Sequence, residues 1–182
     1  MIVEPIERIE ITNDDITNIK IDAIVNSTTP NLMGGTLLDG KINKVAGPEL
    51  REECKEIGYC GAGHAKITKG YNLPAKRVIH TVGPIYIDGK HSESRILEMC
   101  YENCLRVLSL NELDGIAFPS ISAGTIGFPV EEASRIALST VLRELDKYPK
   151  IKRVVFCCYS DEMYEVYKEA FAELKRAHKK SK

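Results

Sequence analysis

The chain has 182 residues, of which 43% are hydrophobic and 28% are charged, a composition typical of one globular domain with its own hydrophobic core. Its 25 Lys and Arg residues nearly balance its 26 Asp and Glu residues, which leaves a formal net charge of -1. Proteins that bind duplex DNA or a membrane surface through charge need a strongly basic face, so this balance argues against both classes.

The first half of the chain alternates between strand-like and helix-like segments. Alternating or short continuous apolar runs predict strands at residues 9–11, 23–25, 65–69 and 77–82. A helix is predicted from about Asp39, and a second from Pro48 to a C-terminal cap at Gly58. The apolar face of the first of these helices is expected to consist of Leu38, Ile42, Val45 and Ala46.

The second half of the chain continues this alternation. Strands are predicted at residues 116–118 and 154–158. Three amphipathic helices are predicted: one capped by Ser92, one opened by Pro129, and one from about Asp161. Strands that alternate with helices imply an α/β protein with a mostly parallel sheet covered on both faces.

The two ends of the chain suggest a single domain without an export signal. We interpret residues 1–176 as one domain and residues 177–182 as a basic C-terminal tail. We expect this tail to be exposed to solvent, and we favour this over a tail that binds nucleic acid. Charged residues near the N-terminus interrupt any apolar run of the kind a signal peptide needs, and no segment approaches transmembrane length. We therefore expect a cytoplasmic protein that contacts no membrane.

The six cysteines show no spacing typical of a metal site. There is no C-x-x-C pair, and no histidine lies at a zinc-like distance along the sequence from any of them. Several lie within apolar patterns, where a free cysteine behaves as a small hydrophobic residue. We expect buried, reduced thiols and neither a metal nor a resident cofactor.

Two glycine-bearing loops follow predicted strands and precede predicted helices. One passes through Gly34 and Gly35 after the strand at 23–25, and the other spans residues 122–127 after the strand at 116–118. Ligands of open α/β sheets bind beyond the carboxyl ends of the strands, and glycines let backbone N–H groups approach an anion. Two such loops predict a diphosphate site, although each alone could be a tight turn.

Two common phosphate motifs fit poorly. The G-x-G-x-x-G pattern of dinucleotide-binding folds is absent. Gly35, Gly40 and Lys41 have the spacing of a P-loop, but Ile42 stands where a Ser or Thr must bind magnesium. A nucleoside triphosphatase is therefore a minor alternative.

The sequence as a whole resembles a macro domain. The stretch NDDITNIKIDAIVNSTTPNLMGGTLLDGKINKVAG is similar to the family's succession of GDIT, DAIVNAAN, a glycine run, VDGAIH and AAG. The similarity continues through GHAKITKGYNLPAKRVIHTVGP and AFPSISAGTIGFPVEEA, and covers residues 9–174 in the family's order. It implies a three-layer α-β-α sandwich, with a mixed and mostly parallel sheet, that binds ADP-ribose.

The resemblance implies two residues at the adenine end. Asp15 corresponds to the carboxylate that accepts a hydrogen bond from the adenine amino group, with the backbone N–H of Ile16 beside it. Tyr159 corresponds to an aromatic residue that covers the adenine face. Asp15 could instead cap the turn after the first strand. Tyr159 could instead lie at the edge of the hydrophobic core.

At the phosphate and ribose end the resemblance implies a loop, an amide and a carboxylate. Asn26 corresponds to the first Asn of the family's N-x-x-N motif, and Asp39 to the residue that organises water near the distal ribose. A helix N-cap is an equally simple role for Asp39. We interpret His80 as a structural histidine. The remaining residues expected to contact ADP-ribose are Gly34, Gly35, Leu37, Ser122, Ala123, Gly124, Thr125, Ile126 and Gly127.

The departures from the family pattern all fall at the distal ribose end. Thr29 replaces the second Asn of N-x-x-N, and its hydroxyl is a candidate to hold a ribose oxygen or a water. Thr36 and Leu37 replace two loop glycines, and a branched Leu37 should not reproduce a glycine's positive-φ conformation. The other two departures are Asn43 in place of a His and Ile126 in place of an aromatic residue.

Two functions follow from the resemblance, and a third possibility is a rebuilt pocket that binds a different nucleotide or a nucleic-acid end. The first is hydrolysis of an ADP-ribosyl ester, on a protein carboxylate or in O-acetyl-ADP-ribose, with Asp39 and Thr29 as catalytic residues. The alternative is a non-catalytic module that binds ADP-ribose, which the loss of the second Asn favours. The expected partners are ADP-ribose or an ADP-ribosylated protein, the expected oligomeric state is a monomer, and no nucleic-acid partner is expected.

Overall fold

A computed structural model describes residues 3–124 and 126–181 of the chain. Its six strands are β1 Ile9–Thr12, β2 Ala23–Ser27, β3 Ala65–Lys69, β4 Arg77–Thr81, β5 Gly115–Phe118 and β6 Arg153–Cys157. Its five α-helices are α1 Leu37–Ala46, α2 Pro48–Ile57, α3 Glu93–Leu110, α4 Val130–Leu145 and α5 Asp161–Lys180. Short 3-10 helices occupy Pro5–Arg8 and Ile16–Asn18.

The strands form one mixed, mostly parallel sheet in the order β1-β6-β5-β2-β4-β3. Neighbouring strands are parallel except for β3, which pairs antiparallel with β4 at one edge. The central strands β2 and β5 are buried along their whole length, as expected for strands covered on both faces. The α/β class predicted from the sequence is confirmed.

Two hydrophobic layers cover the sheet and complete the predicted α-β-α sandwich. Helices α3, α4 and α5 pack on one face around an aromatic cluster in which Phe118 and Phe156 stack with ring centroids 5.6 Å apart. Helices α1 and α2 cover the other face through Ile42, Ala46 and Leu50. All six cysteines are buried and have free thiols, as predicted.

Several local predictions need correction. Asp39 is not a helix N-cap, since α1 begins earlier and the Thr36 hydroxyl accepts the Asp39 N–H at 3.0 Å. Val45 is 37% exposed, because Ile42 and Ala46 form the buried stripe of α1 and leave Val45 at its edge. Ser92 precedes α3 with a φ of 62° but makes no side-chain cap.

The segment before α3 is instead held by Glu93. Its carboxylate accepts hydrogen bonds from the backbone N–H groups of residues 87, 88, 89 and 91. Burial raises the pKa of Glu93, but these backbone N–H groups outweigh that effect and bring the pKa down to about 2. The loop between β4 and α3 therefore has a charged anchor at its end.

The C-terminal helix α5 continues into the basic end of the chain. Helix α5 continues through Lys180, so residues 177–180 of the expected tail form its last turn. The cations there lie at the helix C-terminus, where the helix dipole favours positive charge. Within residues 3–124 and 126–181, no helix has the length and apolar character needed to cross a bilayer.

Candidate functional site

A cavity of about 390 Å³ opens at the carboxyl ends of the parallel strands. Four strands contribute to it: Ser27 ends β2, Cys157 ends β6, Ser120 follows β5, and Asp15 follows β1. This is the edge at which ligands of open α/β sheets bind. The other residues that line it are Asn13, Asp14, Ile16, Thr36, Leu37, Leu38, Lys41, Pro119, Ser122, Gly124, Ile126 and Tyr159.

Asp15 lines the cavity, and neighbouring groups hold its carboxylate in place. Its Oδ1 accepts hydrogen bonds from the Thr17 backbone N–H at 3.0 Å and the Thr17 hydroxyl at 2.8 Å. Its Oδ2 lies 2.5 Å from Lys41 Nζ. Partial burial raises the pKa of Asp15, but hydrogen bonds from Lys41 and Thr17 outweigh that effect and lower it overall. Asp15 is therefore a charged hydrogen-bond acceptor, and it also caps the turn after β1.

Tyr159 stands at the mouth of the cavity as an exposed ring. Its side chain is 78% exposed, so it does not belong to the edge of the core. A Cβ placed on Gly124 would lie 3.9 Å from its ring, which shows that the ring and the glycine loop face each other. The neighbouring Cys157 also lines the cavity. Burial raises the pKa of its thiol to about 12, so it contributes only uncharged surface.

The loop after β5 bends back on itself beside the cavity. Ser122 has a φ of 61°, and its hydroxyl donates to the Pro84 carbonyl at 2.9 Å, away from the cavity. The backbone N–H of Gly127 donates to the Gly124 carbonyl at 3.2 Å. Ala123 is buried, and Thr125 lies outside the described residues. Gly124 and Ile126 are the described members of this loop that line the cavity together with Ser122.

The first turn of α1 forms another part of the cavity wall. Leu37 is the first residue of α1, is 87% exposed, and does not have a positive φ. The expected conflict between a branched side chain and a glycine conformation therefore does not arise at this position. Thr36 precedes it, and its hydroxyl donates to the Ser27 carbonyl at 3.0 Å, which ties the helix N-terminus to β2.

Asp39 lies directly behind this wall and is almost completely buried, with 1% exposure. Its Oδ1 accepts hydrogen bonds from Asn26 Nδ2 at 2.7 Å and from the Thr28 hydroxyl at 2.9 Å. Its Oδ2 accepts from Asn43 Nδ2 at 3.3 Å and lies 4.0 Å from an Arg51 guanidinium nitrogen. Oδ2, which faces Gly34, therefore receives fewer hydrogen bonds than Oδ1.

A loop between β2 and α1 covers Asp39. The Thr29 hydroxyl lies within hydrogen-bonding distance of the Gly34 carbonyl and of Asn31 Oδ1. Gly35 has a φ of 123°, and a Cβ there would lie only 2.7 Å from the Thr29 methyl carbon. Arg51 donates to the Met33 carbonyl from the other side. The Thr29 hydroxyl is thus used within the loop itself.

The macro domain model among known protein families matches residues 25–137. This chain belongs to the macro domain family.

Two curated relatives and one solved structure illustrate how far the similarity extends. A macro domain-containing protein of Chlorobaculum tepidum is 49% identical, over 87% of this chain and 92% of that protein. An O-acetyl-ADP-ribose deacetylase of an Enterobacter species is 44% identical, over 88% of this chain and 91% of that protein. The Trypanosoma brucei macrodomain in complex with ADP-ribose superposes with a TM-score of 0.84 at 34% identity, covering 89% of this chain and 68% of that one.

In this macro domain, the residues predicted from the sequence fall into two groups. The first group lines the cavity: Asp15, Ile16, Leu37, Ser122, Gly124, Ile126 and Tyr159. The second group lies outside the cavity lining: Asn26, Thr29, Gly34, Gly35, Asp39, Ala123 and Gly127. Within the second group, Asn26 donates a hydrogen bond to Asp39, a Cβ on Gly34 would meet Asp39, and a Cβ on Gly35 would meet Thr29. The residues of the second group therefore lie outside the cavity lining.

His80 is a buried structural histidine, as predicted, and it contacts Asn26 of the second group. Its Nδ1 lies 3.2 Å from Asn26 Nδ2, and its Nε2 lies 2.9 Å from the Thr68 hydroxyl. Burial lowers the pKa of His80 to about 4, although the nearby charge of Asp39 acts in the opposite direction. The neutral ring therefore accepts a hydrogen bond from Asn26 through Nδ1.

Two charged residues, one in the cavity lining and one that contacts Asp39 outside it, were not predicted from the sequence. In the sequence, Lys41 stands out only as part of an incomplete P-loop pattern, although it lies one helical turn after Leu37 and so on the same face. Arg51 on α2 gave no signal, because only the fold brings it to Met33 and Asp39. Thr28 was also missed, and its hydrogen bond to Asp39 has no sequence signature.

Proposed function

We propose that this macro domain binds ADP-ribose in the cavity and hydrolyses an ADP-ribosyl ester. The observation that carries the proposal is the set of groups that line one cavity. It brings together the charged acceptor Asp15, the exposed ring of Tyr159, the glycine loop after β5 and the first turn of α1, whose buried Asp39 lies outside the cavity lining. A relative that is 44% identical over most of both chains is named as an O-acetyl-ADP-ribose deacetylase.

Each part of ADP-ribose has a chemically suitable partner. Asp15 accepts a hydrogen bond from the adenine amino group. Tyr159 stacks on the base, and a stacking contact of this kind contributes about 1–3 kcal/mol to the binding free energy. The diphosphate lies against the backbone around Gly124 and the N-terminus of α1, where N–H groups and the helix dipole favour an anion. The distal ribose then lies between Leu37 and Ile126.

The proposed reaction is hydrolysis at the distal ribose. Water attacks the acyl carbon, and the bond from that carbon to the ribose oxygen breaks. The ribose oxygen takes up a proton as a hydroxyl, and the acyl group leaves as a carboxylate with release of a proton. Asp39 orients the attacking water through Oδ2, the oxygen next to Gly34, and the fixed geometry of the site supplies most of the rate enhancement.

A second candidate is a module that binds ADP-ribose without cleaving it. Two observations favour it: Asp39 is 1% exposed, and the Thr29 hydroxyl is already bonded within its own loop. In that case Asp39 would serve only to anchor the N-terminus of α1. ADP-ribose binding is common to both candidates, so only turnover separates them.

The deciding experiment is single-turnover cleavage of a peptide that carries ADP-ribose on an Asp or Glu. Wild type should cleave it, and Asp39→Asn should slow cleavage by at least about tenfold while ADP-ribose affinity changes by less than about tenfold. Asn is chosen because Ala would leave buried donors of Asn26 and Thr28 unpaired, at about 1–3 kcal/mol each. Glu169→Gln, on the exposed face of α5, is the matched control and should behave like wild type.

Three outcomes are distinct in this experiment. Cleavage that depends on Asp39 supports the esterase. If neither wild type nor Asp39→Asn cleaves the peptide, and both still bind ADP-ribose, the result supports the binding module. Failure of the folded wild-type protein to bind ADP-ribose would contradict both candidates.

A further inference from the structure

The base end of the cavity carries a hydrogen-bond donor beside its acceptor. Lys41 Nζ lies 2.5 Å from Asp15 Oδ2, and both side chains line the cavity. The side chain of Lys41 is 53% exposed, and that of Asp15 is 31% exposed. Among the cavity-lining residues that the structure describes, Lys41 is the one with a cationic side chain.

The carboxylate alone would select a 6-aminopurine. Asp15 Oδ1 is occupied by Thr17, which leaves Oδ2 to meet the ligand. A charged carboxylate only accepts hydrogen bonds, so it pairs with the amino group of adenine and repels the carbonyl oxygen at position 6 of hypoxanthine or guanine. A buried polar group without a partner typically costs about 1–3 kcal/mol, which would exclude such bases effectively.

The ammonium group of Lys41 removes this selection against a carbonyl oxygen at position 6. It offers three donors and no acceptor, so it complements a carbonyl oxygen at position 6. The N1–H of a 6-oxopurine is a donor, and it matches Asp15 Oδ2. An exposed ion pair contributes only about 0–1 kcal/mol, so a ligand that inserts between the two groups gives up little stability.

We propose that the base end of this site accepts 6-oxopurine nucleotides as well as adenine nucleotides, with Lys41 as the residue that determines this breadth. In the adenine complex the amino group donates to Asp15. In the hypoxanthine complex N1–H donates to Asp15 while Lys41 donates to the carbonyl oxygen. The ligand class is therefore a purine diphosphate ribose whose base carries either an amino group or a carbonyl group at position 6. The inference rests on the proposed nucleotide site.

The test is calorimetric titration of the full chain with ADP-ribose, ADP and inosine 5′-diphosphate. Wild type should bind the inosine compound within about tenfold of ADP. Lys41→Met, which keeps the length of the stem and removes the donor, should raise the ratio of the Kd for the inosine compound to the Kd for ADP by about tenfold or more. Lys44→Met, an exposed lysine on the same helix outside the cavity lining, is the matched control and should leave both affinities unchanged.

The outcomes separate this inference from the proposed function. If ADP-ribose and ADP bind but wild type discriminates against the inosine compound by more than about a hundredfold, the inference fails and the proposed function stands. The inference also fails if Lys41→Met weakens ADP and the inosine compound to the same extent. If the folded protein binds neither ADP-ribose nor ADP, the proposed function fails and the inference fails with it.

Discussion

At the scale of single residues, a buried hydrogen-bond chain determines where Asp39 points. Neutral His80 receives a hydrogen bond from Asn26, whose Nδ2 also donates to Asp39. The other ring nitrogen of His80 meets the Thr68 hydroxyl. A protonated imidazole would present an N–H group to the N–H group of Asn26, so this arrangement requires His80 to stay uncharged.

The first prediction follows from the low pKa of His80. The folded protein holds the ring neutral down to about pH 4, whereas the unfolded chain takes up a proton near pH 6.5. The unfolded state therefore binds more protons between these values, and the free energy of unfolding rises with pH across that window. We expect a rise of about 2 kcal/mol from pH 5 to pH 7, measured by urea denaturation.

Two variants isolate this effect. His80→Gln should lower the overall free energy of unfolding and flatten its rise between pH 5 and pH 7. His64→Gln, at an exposed position, should keep the slope of wild type. Carboxylates with lowered pKa values, such as Glu93, act mainly below about pH 4.5 and do not interfere. A slope in His80→Gln equal to that of wild type would show that His80 is not held neutral.

At the scale of elements, the loop before α1 depends on the absence of one side chain. Gly35 has a φ of 123°, and its α-carbon lies so close to Thr29 that a Cβ would be 2.7 Å from the Thr29 methyl carbon. Gly40, five residues later in α1, is exposed and has no atom within 4 Å of the position of a Cβ. The same substitution should therefore have opposite effects at these two glycines.

The second prediction compares the two substitutions. Gly35→Ala should lower the free energy of unfolding by about 1–3 kcal/mol, because the conformation and the contact with Thr29 are both unfavourable for Ala. Gly40→Ala should raise it by about 0.5–1 kcal/mol, because Ala is the better helix former. Urea denaturation measures both. Adding Thr29→Ser to Gly35→Ala removes the clashing methyl group and should restore part of the loss; no restoration would contradict the packing argument.

The element boundaries show what could be predicted from local sequence. The strand at 65–69 and the helix from Pro48 to its glycine cap were predicted within a residue, because periodicity and capping residues act locally. The predicted start of α1 near Asp39 is two residues too late. Thr36 looks like a loop residue in the sequence, whereas in the structure its hydroxyl caps the helix. Leu37 consequently belongs to the helix and not to a glycine-like turn.

At the scale of the whole molecule, the sheet topology assembles the site. Loops after β1, β2, β5 and β6 meet at one edge because these four strands are parallel. The alternation of strands and helices predicted this edge, and the residues implied by the family resemblance include some that line the cavity, such as Asp15 and Tyr159, and others that do not, such as Asn26. Neither could predict that Asp39 is buried or that Lys41 pairs with Asp15, because both depend on side-chain packing between distant segments.

The measurement that tests the central claim most directly is calorimetric titration with ADP-ribose of wild type, Asp15→Ala and Asp14→Ala. We predict one binding site in wild type and a tenfold to hundredfold weaker affinity in Asp15→Ala, because a charge-assisted hydrogen bond of about 1.5–3 kcal/mol is lost. Asp14→Ala removes the neighbouring carboxylate of the same cavity and should change the affinity by less than threefold. Unchanged affinity in a correctly folded Asp15→Ala protein would contradict the assignment of the adenine end, and no binding by wild type would contradict the account as a whole.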